Sequence, residues 1–159
     1  MQPDAAPSTA PNPPPHLKLG GPTGSNPLHL WTPSPPHPPM KIATWNVNSL
    51  SVRLPQVLAW LATNPVDALC LQELKLTDDK FPHVALQDAG YHAVAFGQKT
   101  YNGVAILTRT PVRDVVRNIP GFDDEQSRVI AATLDTPEGP LRLLNGYFVN
   151  GQEPGSEKF

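Results

Sequence analysis

The sequence predicts an α/β domain that starts near Met40 and is preceded by a disordered, proline-rich tail. Three observations carry this reading. Two short apolar runs, Lys41–Asn46 and Asp67–Glu73, flank one segment of helical periodicity. From Tyr91 onward the pattern changes to short strands separated by polar loops. Residues 1–39 hold 13 of the 21 prolines and only two charged residues, Asp4 and Lys18.

Each proline removes a backbone donor and fixes φ, so residues 1–39 cannot build a helix or an interior strand. They also lack the apolar mass that would offset the entropy of ordering them. The expectation is a polyproline-II-leaning tail. It has neither the basic start nor the apolar run of a signal peptide, and synthesis beginning at Met40 is a simpler alternative to a functional tail. No apolar stretch is long enough to span a bilayer.

Residues 40–159 fit one domain at most. With 11 basic and 13 acidic residues, their net charge is −2. No basic surplus announces a nucleic-acid partner, although a local patch suffices for phosphate contact. The single Cys70 lies in an apolar run and reads as a small buried hydrophobe. One cysteine permits no disulfide framework, which suits a cytoplasmic location.

In chain order, Lys41–Asn46 reads as a first strand, followed by the polar turn Asn48-Ser49-Leu50-Ser51. Leu54, Val57, Leu58 and Leu61 then mark one helix face, with Pro55 expected in the first turn and Asn64-Pro65 as the stop. The run Asp67–Glu73 reads as a buried second strand. A strand–helix–strand unit closes right-handed with parallel strands, which carries Asn46 and Glu73 to the same sheet edge. That edge is where open α/β sheets place their ligands. Thr77–Asp88 is expected to form a second helix ended by Gly90. The strands expected next are Tyr91–Phe96, Gly103–Thr108, Val112–Ile119, and a hairpin of Arg128–Leu134 with Leu141–Phe148 about Thr136–Pro140.

Glu73 offers a hard oxygen and Asn46 an amide oxygen, a chemistry that suits Mg²⁺, which takes few carboxylates and keeps waters and substrate phosphate. No Cys/His spacing suits zinc, and His83 and His92 stand apart. A strand-end glutamate serves equally as a solvated salt-bridge partner. Tyr147, beside Gly146, can present its hydroxyl to a phosphate or simply pack with its hydroxyl at the surface. Lys99, Arg109 and Arg128 are candidate phosphate contacts, or ordinary surface charges. Asn102-Gly103 marks either a hairpin turn or a close backbone approach. No Walker loop, dinucleotide fingerprint or serine elbow occurs.

Taken together and in order, these stretches resemble the exodeoxyribonuclease III family of apurinic/apyrimidinic endonucleases. The resemblance runs through Met40-Lys-Ile-Ala-Thr-Trp-Asn-Val-Asn-Ser-Leu50, Leu71-Gln-Glu-Leu-Lys75, Gly97-Gln-Lys99, Tyr101-Asn-Gly-Val-Ala-Ile-Leu107 and Leu144-Asn-Gly-Tyr-Phe-Val-Asn-Gly151. It implies a four-layer α/β sandwich of two packed sheets flanked by helices, of which residues 40–159 would be the N-terminal portion. It also implies Mg²⁺-dependent phosphodiester hydrolysis, with Mn²⁺ as a substitute, at abasic sites and 3′ ends of double-stranded DNA, by a monomer with no membrane association. By motif match Glu73 and Asn46 would hold the metal and Tyr147 would act at the phosphate. Asn102 and Arg128 would fall where the family meets DNA or packs the site, and Lys99 is a further candidate for substrate contact. The family's later Gly-Asp-x-Asn and Ser-Asp-His motifs do not occur in residues 1–159. The expectation for this polypeptide alone is therefore marginal folding and little or no catalysis. The competing expectations are an inactive truncated product and a phosphoesterase acting on a non-nucleic substrate.

Overall fold

The computed structural model describes residues 38–122, 124–149, 153 and 155. The chain divides into two units, Met1–Pro35 and Pro36–Phe159, and all described residues belong to the second. The reading of residues 1–39 as a disordered tail thus lies, apart from Pro38 and Pro39, outside the described residues, as do Asn150 and Gly151 of the last motif.

Two sheets pack on one another. The first contains β1 (Ile42–Asn46), β2 (Ala68–Gln72), β3 (His92–Phe96) and β4 (Val104–Thr108), in the order β1-β2-β4-β3. The second is the antiparallel meander β5 (Val112–Arg117), β6 (Val129–Thr136) and β7 (Gly139–Gly146). Helix α1 (Leu50–Thr63) joins β1 to β2, which pair in parallel, while β2–β4 and β3–β4 are antiparallel. Among the described residues no helix is long and apolar enough to cross a membrane.

β2 is buried at every position because both of its faces are covered. Successive side chains alternate between faces. Leu69 and Leu71 join Ala105 and Leu107 of β4 in a core with Leu50, Val57 and Leu61 of α1. Ala68 and Cys70 join Val104 and Ile106 in a second core with Ile130, Ala132, Leu134 and Leu143 of the second sheet. The layers are helix, sheet and sheet, three of the four expected, in a mixed α/β fold with few helices.

The helical segments depart from expectation in two ways. α1 begins at Leu50, so Pro55 lies in its interior rather than its first turn. The carbonyl that Pro55 leaves without a helical donor is that of Ser51; both residues are solvent-exposed, so water can serve it. Leu50, expected in a turn, is fully buried and leads the apolar stripe. The single helix expected over Thr77–Asp88 is instead a 3₁₀ turn (Asp78–Lys80) and a short α2 (His83–Asp88). Pro82 disfavours helical backbone at Phe81, whose φ and ψ are −69° and 131°, and divides the segment there. The hairpin between β6 and β7 is tighter than expected, with only Pro137 and Glu138 outside the strands, and β7 ends at Gly146, short of Phe148.

Candidate active site

The parallel pairing of β1 and β2 sets Asn46 opposite Gln72 and brings Glu73 beside Asn46 at one edge of the sheet. The Asn46 amide donates to Glu73 Oε1 at 2.8 Å, and the Asn46 oxygen accepts from the Asn48 backbone N–H at 3.1 Å. Lys75 Nζ lies 3.1 Å from Glu73 Oε2 and donates to Asn48 Oδ1 at 2.5 Å. Asn46, Glu73, Lys75 and Asn48 thereby form a closed polar ring.

The ring stands on unusual backbone. Asn48, Ser49, Glu73 and Lys75 have φ values of 45°, 90°, 54° and 54°. Non-glycine residues reach this region at a cost of about 1–3 kcal/mol each and persist there only where neighbours over-determine them. Here the β1–α1 loop runs along the segment after β2: Val47, Ser49 and Leu50 donate to the carbonyls of Gln72, Glu73 and Leu74 at 3.0, 2.8 and 3.0 Å. From the other side, Leu74 and Lys75 donate to the carbonyls of Gly103 and Asn102 at 3.1 and 3.0 Å.

Asn102-Gly103 is therefore a close backbone approach and not a two-residue hairpin turn. A Cβ on Gly103 would sit 2.9 Å from the Leu74 Cβ. The Asn102 side chain is buried and donates to Gln98 Oε1 and Gln126 Oε1 at 2.8 and 3.3 Å. It buttresses the loops rather than facing solvent.

Tyr147 enters from the second sheet. Its backbone N–H donates to the Arg128 carbonyl at 2.8 Å, which continues the β6–β7 pairing one residue past β7. The phenol lies close enough to the Glu73 carboxylate for each to influence the other's ionisation. The Asn46 hydrogen bond above all, with help from Lys75 and Tyr147, lowers the Glu73 pKa against the opposing effect of burial. Burial and the adjacent Glu73 raise the Tyr147 pKa, and the nearby Arg128 charge partly offsets them. At neutral pH the site holds an ionised carboxylate beside a protonated phenol.

The structure thus brings Asn46, Glu73 and Tyr147 together and sets Arg128 beside them, its guanidinium bonded to Gln126. Lys99 is exposed on the loop before Asn102. Arg109 lies elsewhere. It follows β4 at the opposite end of β2, where its Nε donates to the Val66 carbonyl at 3.1 Å and its guanidinium covers the Tyr91 ring at 5.4 Å. Its place is structural, which removes it from the candidate phosphate contacts.

Gln72 and Asn145 were not among the expected site residues, yet they occupy its base. Both are buried, and Gln72 Nε2 donates to Asn145 Oδ1 at 2.7 Å between the sheets. A signal for them exists in the sequence. Gln72 and Asn145 stand at the core-facing positions of Ala68, Cys70, Gln72 and of Leu141, Leu143, Asn145, and a polar residue in such a series needs a buried partner. A groove of about 600 Å³ opens between β1 and β7, with Thr44, Asn46, Gln72, Asn145 and Tyr147 along its polar part.

Among the described residues no cluster of three or more His, Cys, Asp or Glu side chains forms a metal cage. One carboxylate and one amide oxygen suit a hard cation that keeps most of its water and takes ligands from a substrate, as Mg²⁺ does. The donor set fits such an ion and does not fit zinc.

Residues 43–153 match the model of the Endonuclease/Exonuclease/phosphatase family. The chain is 37% identical over 128 residues to exodeoxyribonuclease III of Haemophilus influenzae, covering 76% of this chain and 48% of that relative. A Neisseria 3′ phosphatase, solved bound to a product DNA hairpin, superposes with a TM-score of 0.70 at 57% identity, over 76% of this chain and 46% of that one. An AP endonuclease from Archaeoglobus fulgidus superposes with a TM-score of 0.68 at 38% identity, over 76% and 45% of the two chains. The chain spans about half the length of these relatives.

Proposed function

Because this chain belongs to the Endonuclease/Exonuclease/phosphatase family, we propose that it contributes the metal-side half of a DNA repair nuclease. The reaction is Mg²⁺-dependent hydrolysis of phosphate esters at 3′ ends and abasic sites of double-stranded DNA. The observation that carries this reading is the convergence of Asn46, Glu73 and Tyr147, contributed by three strand ends, on one sheet edge.

Glu73 and the Asn46 oxygen are the groups that would hold the ion, and the residues already prepare for it. Asn46 keeps Glu73 ionised, and the bound ion would take over the charge that Lys75 now neutralises. A divalent cation in this position offsets negative charge that develops on a phosphate oxygen. The Tyr147 phenol, protonated at neutral pH, supplies a hydrogen bond to the same oxygens. Arg128 and Lys99 give backbone contacts to DNA, which position the duplex without reading its sequence. The Gly-Asp-x-Asn and Ser-Asp-His motifs of the resembled family do not occur in residues 1–159, so this polypeptide alone is expected to give little or no incision. Between the two DNA substrates, the 57% identity with a 3′ phosphatase, against 38% with an AP endonuclease, favours the 3′ end.

The test is a chimera in which residues 40–149 replace the matching half of the Neisseria enzyme, assayed with Mg²⁺ on duplexes carrying a 3′ phosphate or an abasic site. The reading expects processing of the 3′ phosphate and a loss of about 10²-fold or more in Glu73→Gln. A folded chimera that is inactive, or one indifferent to Glu73→Gln, overturns it. Incision by the 159-residue chain itself, abolished in Glu73→Gln, overturns only the expectation that this half is silent alone.

A further inference from the structure

The metal carboxylate and the phenol belong to different sheets: Glu73 follows β2 in the first, and Tyr147 follows β7 in the second. Most of the contact between these sheets is apolar, through Ala68, Cys70, Val104 and Ile106 against Ile130, Ala132 and Leu143. Apolar contact is non-directional, so by itself it sets the sideways register of the two sheets less sharply than hydrogen bonds do.

Polar links cross between the sheets elsewhere, from Arg117 of β5 to the Ala95 carbonyl of β3 and from Ser127 to the Gly97 carbonyl, both at 3.0 Å; in the core between β2 and β7 the link is Asn145. Asn145, one residue before the end of β7, is only 3% exposed. Its amide donates to the Leu71 carbonyl of β2 at 2.8 Å and to the Ala105 carbonyl of β4 at 2.9 Å. Its oxygen accepts from Gln72 at 2.7 Å. Gln72 is the last residue of β2, and its second amide hydrogen reaches Thr44 of β1 at 2.9 Å, with the Cys70 carbonyl a longer neighbour at 3.3 Å. Asn145 and Gln72 therefore tie β1, β2, β4 and β7 in one buried network. Its ends are one residue from Glu73 and two from Tyr147. Hydrogen bonds are directional and lose strength with small displacements, so this network fixes what the apolar layer leaves free.

We infer that the Asn145–Gln72 pair is a positioning latch, setting the register of the two sheets so that Tyr147 meets Glu73. It rests on the reading that Glu73 and Tyr147 serve one phosphate, but its premise is the hydrogen-bond geometry of Asn145 and Gln72. Neither Asn145 nor Gln72 touches substrate in this role; both act through their neighbours. A polar pair at this depth serves register better than stability, because an apolar pair of similar volume would pack there without partners.

The test uses 3-fluorotyrosine incorporated into the 159-residue chain, whose three tyrosines give three ¹⁹F resonances. Tyr147→Phe assigns the relevant one. In the otherwise wild-type chain, Glu73→Gln is expected to move the Tyr147 resonance. In Asn145→Ala that movement is lost, while the Tyr91 resonance, reporting on a packed position at the far end of β2, stays in place. Gln72→Leu, which leaves Asn145 its two carbonyl acceptors, is the gentler second variant and is expected to weaken the same coupling. Thr44→Val removes a bond of Gln72 without cutting the link between sheets, and is expected to leave the coupling intact. Folded Asn145→Ala and Gln72→Leu chains that keep the full response to Glu73→Gln overturn the latch alone. Loss of the Tyr91 resonance position in both variants overturns it in favour of a purely structural role. A Tyr147 resonance indifferent to Glu73→Gln from the outset overturns the latch and counts against the functional reading too.

Discussion

Gly103→Ala puts the architecture of the site to a quantitative test. Gly103 has φ of +87°, where a side chain is strained, and an added Cβ would lie 2.9 Å from the Leu74 Cβ and 3.5 Å from the Leu74 backbone nitrogen. Left-handed backbone costs an alanine about 1–2 kcal/mol. Leu74 is fully buried and cannot swing aside, so overpacking adds about 1–3 kcal/mol. The sum, about 2–5 kcal/mol, is a large share of the ~5–15 kcal/mol that holds an ordinary domain together. Gly90→Ala is the matched control, since Gly90 has φ of +85° but nothing within 4 Å of an added Cβ. It should show the backbone cost alone. Urea unfolding of the 159-residue chain, followed by tryptophan emission from the Trp45–Trp60 pair, gives both values. At a slope of about 1–3 kcal/mol per molar urea, Gly103→Ala is expected to lower the midpoint by about 1 M or more. Equal midpoints for Gly103→Ala and Gly90→Ala would refute the claim that the Asn102–Gly103 loop is pressed against the segment carrying Glu73.

Other consequences follow from the same geometry. Pro55→Ala restores a donor to the Ser51 carbonyl inside α1 and is expected to stabilise the chain by about 1–3 kcal/mol in the same urea assay; unchanged or lowered stability contradicts an interior proline there. Glu73 has a lowered pKa, so its stabilising interactions are present above the ordinary glutamate range and are lost as pH falls through its folded value. Asn46→Ala removes the main cause, and NMR titration of the Glu73 carboxyl should show its midpoint rising. Tyr147 has a raised pKa, so the stability its protonated form contributes is complete below the ordinary tyrosine range and is lost only as pH climbs through the higher folded value. Ultraviolet titration of Glu73→Gln should show that ionisation moving to lower pH.

Much of this fold is legible in the residues because local rules and burial agree. β2 and β4 read as continuous apolar runs since both faces are covered. The parallel joining of β1 and β2 follows from the intervening helix, and it alone predicts that Asn46 and Glu73 meet. Apart from the Thr77–Asp88 segment, which Pro82 divides by a local rule, the misreadings fall where a long-range contact overrides a local one. Leu50 looks like part of a polar turn, yet the core recruits it and α1 starts one turn early. Arg109 looks like a free cation, but the antiparallel pairing of β4 carries it to the far end of β2. Gln72 and Asn145 were hidden because a polar residue at a strand end looks like an exit to solvent. Only the packing of two sheets turns both inward.

In the proposed function Glu73, held by Asn46, is the anchor for a divalent cation. Mn²⁺ binding to the 159-residue chain, read by the enhancement of water-proton relaxation, tests it without recourse to catalysis. Binding by the wild-type chain is expected to weaken markedly in Asn46→Ala and to be lost in Glu73→Gln, with the ¹⁹F signature of Tyr91 unchanged in all three. Equal binding by wild type and Glu73→Gln would contradict it.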